Sequence, residues 1–400
     1  MNGIERYLNP LRWFAALVLA AIVAGCGGGG GGGDGGGTGT LGVSLTDAPA
    51  CGFNAVNVSV SKVRAHVSGD ASEHSGGWAE ITLSPARKIN LLDLTNGVVE
   101  TLGETTLPAG HYTQLRLVLA ANTGSSPTNN SVVLSGAPGT EIALTTPSAV
   151  QSGIKLINEF DVAPGQRVDL VLDFDACKSI VTRGNGSYLL KPVIKVIPTV
   201  LNGINGFVDT SLSNVMVSAQ VGGTVIRSTV PDTLTGAFLL ARLAPGNYDV
   251  VITADNHATA IIGTVPVANN GSMVMVSNAA AAITLPPSAT RSISGNVSLN
   301  PASATEEVVF VAAKHISGAE QVTVKSQAAN PDTGAYTLTL PVGAPLFGQY
   351  GSGTLPIALA KQDALAGKYT VEASATGYLT QSFSWDMFMP DSIPDFTLTP

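Results

Sequence analysis

The chain is poor in charge. Of its 400 residues only 12% are Asp, Glu, Lys or Arg, and only 6% are aromatic. Basic residues are the scarcer sign, 20 against 28 acidic ones, for a formal net charge of −8. Lys and Arg nowhere cluster, which argues against a nucleic-acid partner, whose phosphates demand a basic face. Catalytic motifs are missing as well. The five histidines, at 66, 74, 111, 257 and 315, form no H-E-x-x-H and no paired zinc spacing. There is no G-x-S-x-G elbow and no P-loop. Of the three cysteines, Cys51 and Cys177 lie too far apart for a C-x-x-C redox pair. No cofactor is implied by any of this, and the reading is non-enzymatic.

What the chain has instead is apolar and small residues. Hydrophobic residues make up 44%, so a large core is possible under a surface of Ser, Thr, Asn and Gly. The length fits two to four domains of about 100–200 residues. One apolar run stands apart, Trp13–Val23, preceded by Arg6 and Arg12 and followed by Ala24-Gly25-Cys26. It falls short of the ~20 residues a spanning helix needs and fits the core of a signal peptide. After Cys26 no apolar run is long enough to span a membrane. Gly27–Gly37 is then all glycine but for Asp34. Such a segment has no side chains to bury and the most backbone entropy to lose, so it reads as a flexible tether. It matches G-x-G-x-x-G trivially, but no strand precedes it and no helix follows, so a nucleotide site is rejected.

Val23-Ala24-Gly25-Cys26 resembles the bacterial lipobox. That resemblance implies acylation of Cys26 (palmitate among the chains), loss of residues 1–25 and membrane anchoring by three acyl chains, where one alone binds only marginally. Losing Glu5, Arg6 and Arg12 leaves the mature chain one unit more negative. Gly27, rather than Asp, after the cysteine implies the outer membrane, at its periplasmic face or the cell surface.

From Leu41 the dominant period is two, the spacing of a half-buried strand. Leu41, Val43 and Leu45 alternate with small residues, as do Val56, Val58 and Val60. The apolar set then slips by one, to Val63, Ala65 and Val67, which predicts a bulge near Ser61-Lys62. Trp78–Leu83 reads as a further strand, Leu107–Gly110 as a turn, and Leu115, Leu117 and Leu119 as one face of the strand after it. Val168, Leu170, Leu172 and Phe174 line another, with Asp169, Asp173 and Asp175 opposite. No helical period is sustained beyond about three turns, so the fold class is all-β: an N-terminal sandwich or barrel module, then further β-sandwiches.

The blocks SLTDAP (Ser44–Pro49), AVNVSVSKVRAH (Ala55–His66), INLLDLTNG (Ile89–Gly97), LPAGHYTQLRLVL (Leu107–Leu119), PSAVQSGIKL (Pro147–Leu156), DFDACKSIV (Asp173–Val181) and YLLKPVIKV (Tyr188–Val196) resemble, in order, the bacterial domain of unknown function 4382. The resemblance covers about 41–198. It implies an exported lipoprotein module and no catalytic residues.

The remainder repeats itself. Ile204-x-Gly206-x-Val208 corresponds to Ile293-x-Gly295-x-Val297, Thr235-Gly236-Ala237-Phe238 to Thr333-Gly334-Ala335-Tyr336, and Gly246-x-Tyr248-x-Val250 to Gly367-x-Tyr369-x-Val371. Both copies, about 199–287 and 288–400, resemble the carboxypeptidase regulatory-like domain, which implies a transthyretin-type, Ig-like sandwich and no peptidase activity. Junctions near 199 and 287 predict three domains with limited contact. From Phe238 to Gly246 is eight positions and from Tyr336 to Gly367 thirty-one. The second copy therefore carries an insertion within 341–366, and loops this long tend to be functional or disordered. Its Phe347 and Tyr350 either cover the sandwich edge or stack on a sugar ring or a partner.

Two groups remain. Once Cys26 is acylated, Cys51 and Cys177 are the remaining pair in an exported chain, which predicts a disulfide. That bond would draw Asp47 toward Asp173 and Asp175. Three converging carboxylates either cap turns and accept backbone hydrogen bonds or hold a cation, for which Ca2+ is the reasonable occupant. His66 and His74 flank a Gly/Ser-rich turn and read as solvated loop residues. The function class that follows is an envelope lipoprotein with binding or structural modules. Its partners are the membrane through the lipid and an envelope protein or glycan, and a glycan- or peptidoglycan-binding lipoprotein is the alternative.

Overall fold

A computed structural model describes residues 37–400 apart from 49–51, 148, 151, 157, 198, 200–201, 269–270, 304–306, 318–319, 354, 356 and 390–394. Among the described residues no helix is long and apolar enough to cross a membrane, and the regular structure is nearly all strand, as the period of two predicts, with helix confined to the short turns Leu91–Leu94, Ala176–Ser179 and Asp363–Leu365.

In the first module the strand Thr38–Ala48 sits inside a four-stranded sheet. Arg167–Asp175 pairs with it in parallel and Glu100–Pro108 antiparallel, while Ile194–Ile197 extends the sheet beyond Arg167–Asp175. The opposing sheet is built around the long strand Phe53–His66, flanked by Gln114–Leu119, Ala79–Asn90 and Ser131–Leu134. Side chains alternate across a strand, so Leu41, Val43, Leu45, Leu170, Leu172 and Phe174 share one buried face. They meet Val56, Val58, Val60, Leu115, Leu117 and Leu119 from the other sheet. The bulge expected at Ser61-Lys62 is present: Ala79–Asn90 and Gln114–Leu119 both shift register against Phe53–His66 between Val60 and Lys62. That extra residue keeps Val63 and Ala65 buried after the slip. Val67 lies past the strand end and is exposed.

The second and third modules share one topology, as the internal repeat requires. In the second, Gly203–Phe207 lies between Ala237–Ala241 and Met273–Met275, and a facing sheet runs Thr224–Thr229, Met216–Val221, Gly246–Thr253, Ala260–Val267. In the third, Thr290–Leu299 lies between Ala335–Pro341 and Phe396–Leu398, facing Glu320–Ala328, Phe310–Ser317, Lys368–Ser374, Gln381–Asp386. The repeated Thr-Gly has a steric cause. Gly236 and Gly334 take φ of +72° and +71°, and a Cβ there would lie 2.0 and 2.1 Å from the carbonyl oxygens of Val208 and Val297. Only glycine fits so close an approach at positive φ. The aromatic two residues on, Phe238 or Tyr336, then enters the core.

The insertion in the third module does not form a free loop. Its strand Leu346–Gln349 pairs in parallel with Ala260–Val267, and Ala360–Lys361 pairs with it in turn, so the second module's sheet grows to six strands. Leu346, Tyr350, Leu355, Ile357 and Leu359 all pack on the second module's core. Gln220, fully buried in the second module, is held on both sides by the third: its Nε2 donates to the Thr323 carbonyl at 2.8 Å and its Oε1 accepts from the Thr323 amide at 2.7 Å. The limited contact expected between domains therefore gives way to a single compact unit, Thr38–Pro400. The cause is apolar area: an insertion rich in Leu and Ile can bury it only against a neighbour.

Candidate functional site

The acidic group singled out in the sequence lies where the first module meets the second. Its residues do not converge as expected. Across the parallel pair Thr46 stands beside Asp173 and Asp47 beside Phe174. Paired residues of neighbouring strands point to the same face, so Asp47 shares the core-side face with Phe174, and Asp173 and Asp175 share the opposite one. Asp47 Oδ1 accepts from the Ala176 amide at 3.0 Å, opening the short helix Ala176–Ser179. Asp175 caps the same helix, accepting from the Lys178 amide at 3.1 Å and pairing with the Lys178 ammonium at 2.7 Å. Among the described residues no set of three His, Cys, Asp or Glu side chains could hold a metal. The contacts these carboxylates make favour the capping alternative over a cation site. A one-residue offset in register separates the carboxylates, and two of the three cap backbone, as Asx residues commonly do.

Asp173 has a different partner. Arg227, on the second module's edge strand Thr224–Thr229, reaches across and places Nη1 2.5 Å from Asp173 Oδ1, with side chains 7% and 6% exposed. Burial pushes the Asp173 carboxyl up. Arg227 and Lys195 pull it back, while the neighbouring Asp175 charge adds to the rise. Burial first, then the Lys178 charge, lowers Lys195, and Asp173 and Asp175 oppose that fall. Taking both ions out of water costs several kcal/mol each, so the pair holds only because each supplies the other's charge.

Asn96 completes the seam. With Gly97 it forms a turn at φ +55° and +79°, backbone that Asn and Gly adopt more readily than other residues. The turn inserts into the second module. The Asn96 amide donates to Thr229 Oγ1 at 3.1 Å and Nδ2 donates to the Val230 carbonyl at 2.7 Å. Oδ1 accepts from Thr229 Oγ1 at 2.7 Å and from the Leu239 amide at 3.1 Å. In the sequence this Asn-Gly is simply the end of the block Ile89–Gly97. The pair signals a turn, and nothing in it says that the turn docks. Beside it Arg242, at φ +60°, turns its Nη1 to the Thr199 carbonyl. Burial and then the Arg227 charge lower the Arg242 pKa. A cavity of about 10 Å3 remains between Thr46, Asp47, Asn96, Arg227, Leu239 and Arg242.

The other expected residues fall elsewhere. Cys26 and Cys51 lie outside the described residues, and Cys177 is disulfide-bonded. Phe347 packs with Val251, Ile261 and Val322, and Tyr350 packs on the second module's core. Both aromatics are thus part of the joint between modules and present no open stacking platform. His74 is exposed as expected, but His66 is only 8% exposed. Its Nδ1 accepts from the Ser68 amide at 2.9 Å, which leaves Nε2 to donate to the Gly76 carbonyl at 2.9 Å. The ring packs against Trp78 at 4.9 Å, with the Arg64 and Arg116 guanidiniums 4.5 and 5.1 Å from the Trp78 ring centre. His66 thus ties down its loop instead of facing water. Chemically the seam is a lock: a buried ion pair and a docked turn.

Residues 38–192 match the family described as Domain of unknown function (DUF4382). No curated protein matches the chain. Among solved structures it is similar to the Bacillus anthracis TIE protein, at 12% identity over 91% of this chain and a TM-score of 0.17. The chain spans 50% of that protein's length. It is similar also to a streptococcal ancillary pilin, at 10% identity over 90% of this chain and 98% of that one, with a TM-score of 0.19. The Corynebacterium diphtheriae major pilin SpaA aligns at 12% identity over 90% of this chain and 100% of that one, with a TM-score of 0.20.

Proposed function

We propose that this chain is a non-enzymatic envelope lipoprotein, held in the outer membrane by acylated Cys26. Its three β-modules act as one binding or structural body, with an envelope protein or glycan as partner. The second and third modules are read as carboxypeptidase regulatory-like domains, a reading supported by their shared topology and the repeated Thr-Gly turn. One observation carries the structural role. The carboxylates of the acidic group are spent on structure: Asp173 fastens the first module to the second through Arg227, and Asp47 and Asp175 cap the helix Ala176–Ser179 within the first. The anchor rests on the order of charge, apolar run, small residues and cysteine at residues 6–26, and the tether that follows would let a rigid body stand off the membrane.

The test is envelope fractionation with labelled palmitate for the wild type and Cys26→Ser. The wild type should take up label and sediment with outer membrane, and the variant should do neither. A Cys26→Ser chain that still labels or still sediments overturns the anchor.

A further inference from the structure

The seam contains two guanidinium groups that the ion pair does not satisfy. Arg227 gives Nη1 to Asp173, but its Nε is buried and meets no acceptor. Arg242 gives Nη1 to the Thr199 carbonyl, and its Nε is likewise buried with no acceptor. Both residues line the same cavity of about 10 Å3. Buried charged donors nearly always have a partner, because leaving one unmet forfeits its hydration for nothing. Charge points the same way. Arg227, Arg242, Lys195 and Lys178 stand against Asp47, Asp173 and Asp175. Of these carboxylates Asp175 is paired with Lys178, Asp47 turns Oδ1 to the Ala176 amide, and burial favours the neutral form of Asp173. Four cationic side chains therefore face at most three carboxylate charges. The cavity has room for one water-sized occupant, which excludes phosphate, sulfate and carboxylates.

We propose that this cavity is a binding site for a single monatomic anion of the halide class, chloride in ordinary media, accepting from Nε of Arg227 and Nε of Arg242. It bridges two second-module cations at the point where Asp47 and Asn96 of the first module close over them. The anion then acts as part of the fastening between the modules, and the joint tightens as chloride rises.

Two measurements on the full chain test this. Crystals grown in bromide should give an anomalous peak within hydrogen-bonding distance of both Nε atoms. The melting temperature should rise with chloride and not with gluconate at matched ionic strength, and Arg242→Gln should remove that difference while the chain still folds cooperatively. The proposal is overturned by an ordered water with no anomalous signal in the cavity. It is equally overturned by melting that is indifferent to the choice of anion, or by a chloride dependence that survives Arg242→Gln.

Discussion

Separating Asp173 from Arg227 should reveal the two partners as unequal. Both side chains are over nine-tenths buried and 2.5 Å apart, so removing one strands the other in a low-dielectric seam. For buried pairs that loss runs to about 3–5 kcal/mol. Asp173→Ala should reach the upper part of that range, because a guanidinium cannot shed its proton. Arg227→Met should cost less, about 3 kcal/mol, because the Asp173 carboxyl is already pushed toward its neutral form by burial and can take a proton. Part of that loss should return as the pH falls and the stranded carboxyl takes up its proton. The double replacement Asp173→Leu with Arg227→Met leaves no charge unpaired and should lie within about 1 kcal/mol of wild type. Urea unfolding, followed by circular dichroism and by Trp78 and Trp385 emission, reads all three. A double variant as unstable as the sum of the singles would refute the reasoning, and so would single variants costing under about 1 kcal/mol, the cost of an exposed pair.

His315, 1% exposed beneath Tyr369, has its pKa lowered by burial from 6.5 to about 4. The folded chain thus keeps it neutral, so its contribution is full above about pH 6.5 and is lost as the pH falls toward 4, for a total of about 3 kcal/mol. His315→Phe should lack that slope, and stability curves for the two chains that run parallel from pH 7 to pH 4 would contradict the assignment. Ile357→Ala, a change in the third module's insertion, should destabilise the second module by about 2–3 kcal/mol. Hydrogen exchange checks it: amides of Ala260–Val267 should lose protection while those of Thr290–Leu299 keep theirs.

Much of the architecture was legible in the amino-acid order because strand physics is local. The alternation of Leu41, Val43 and Leu45 and the slip after Val60 that demands a bulge each follow from a few neighbouring residues, whereas the glycine at 236 and 334 answers to the carbonyls of Val208 and Val297 on another strand. The internal repeat and the place where the second copy is interrupted are likewise read from matching motifs along the chain. What covers the outward face of each strand is a tertiary matter. Period two puts Asp173 opposite Phe174, yet it does not say that Arg227, 54 positions later in the sequence, will bury it. The same offset turns Asp47 away from Asp173, although the two lie on adjacent paired strands. Phe347 and Tyr350 were legible as aromatics on an insertion, and only the open edge of Ala260–Val267 made that insertion a strand of the neighbouring sheet. A backbone edge accepts any extended segment of suitable length. The match between that edge and this insertion therefore resides in the packed structure, where unpaired amides and exposed Leu and Ile side chains are satisfied together.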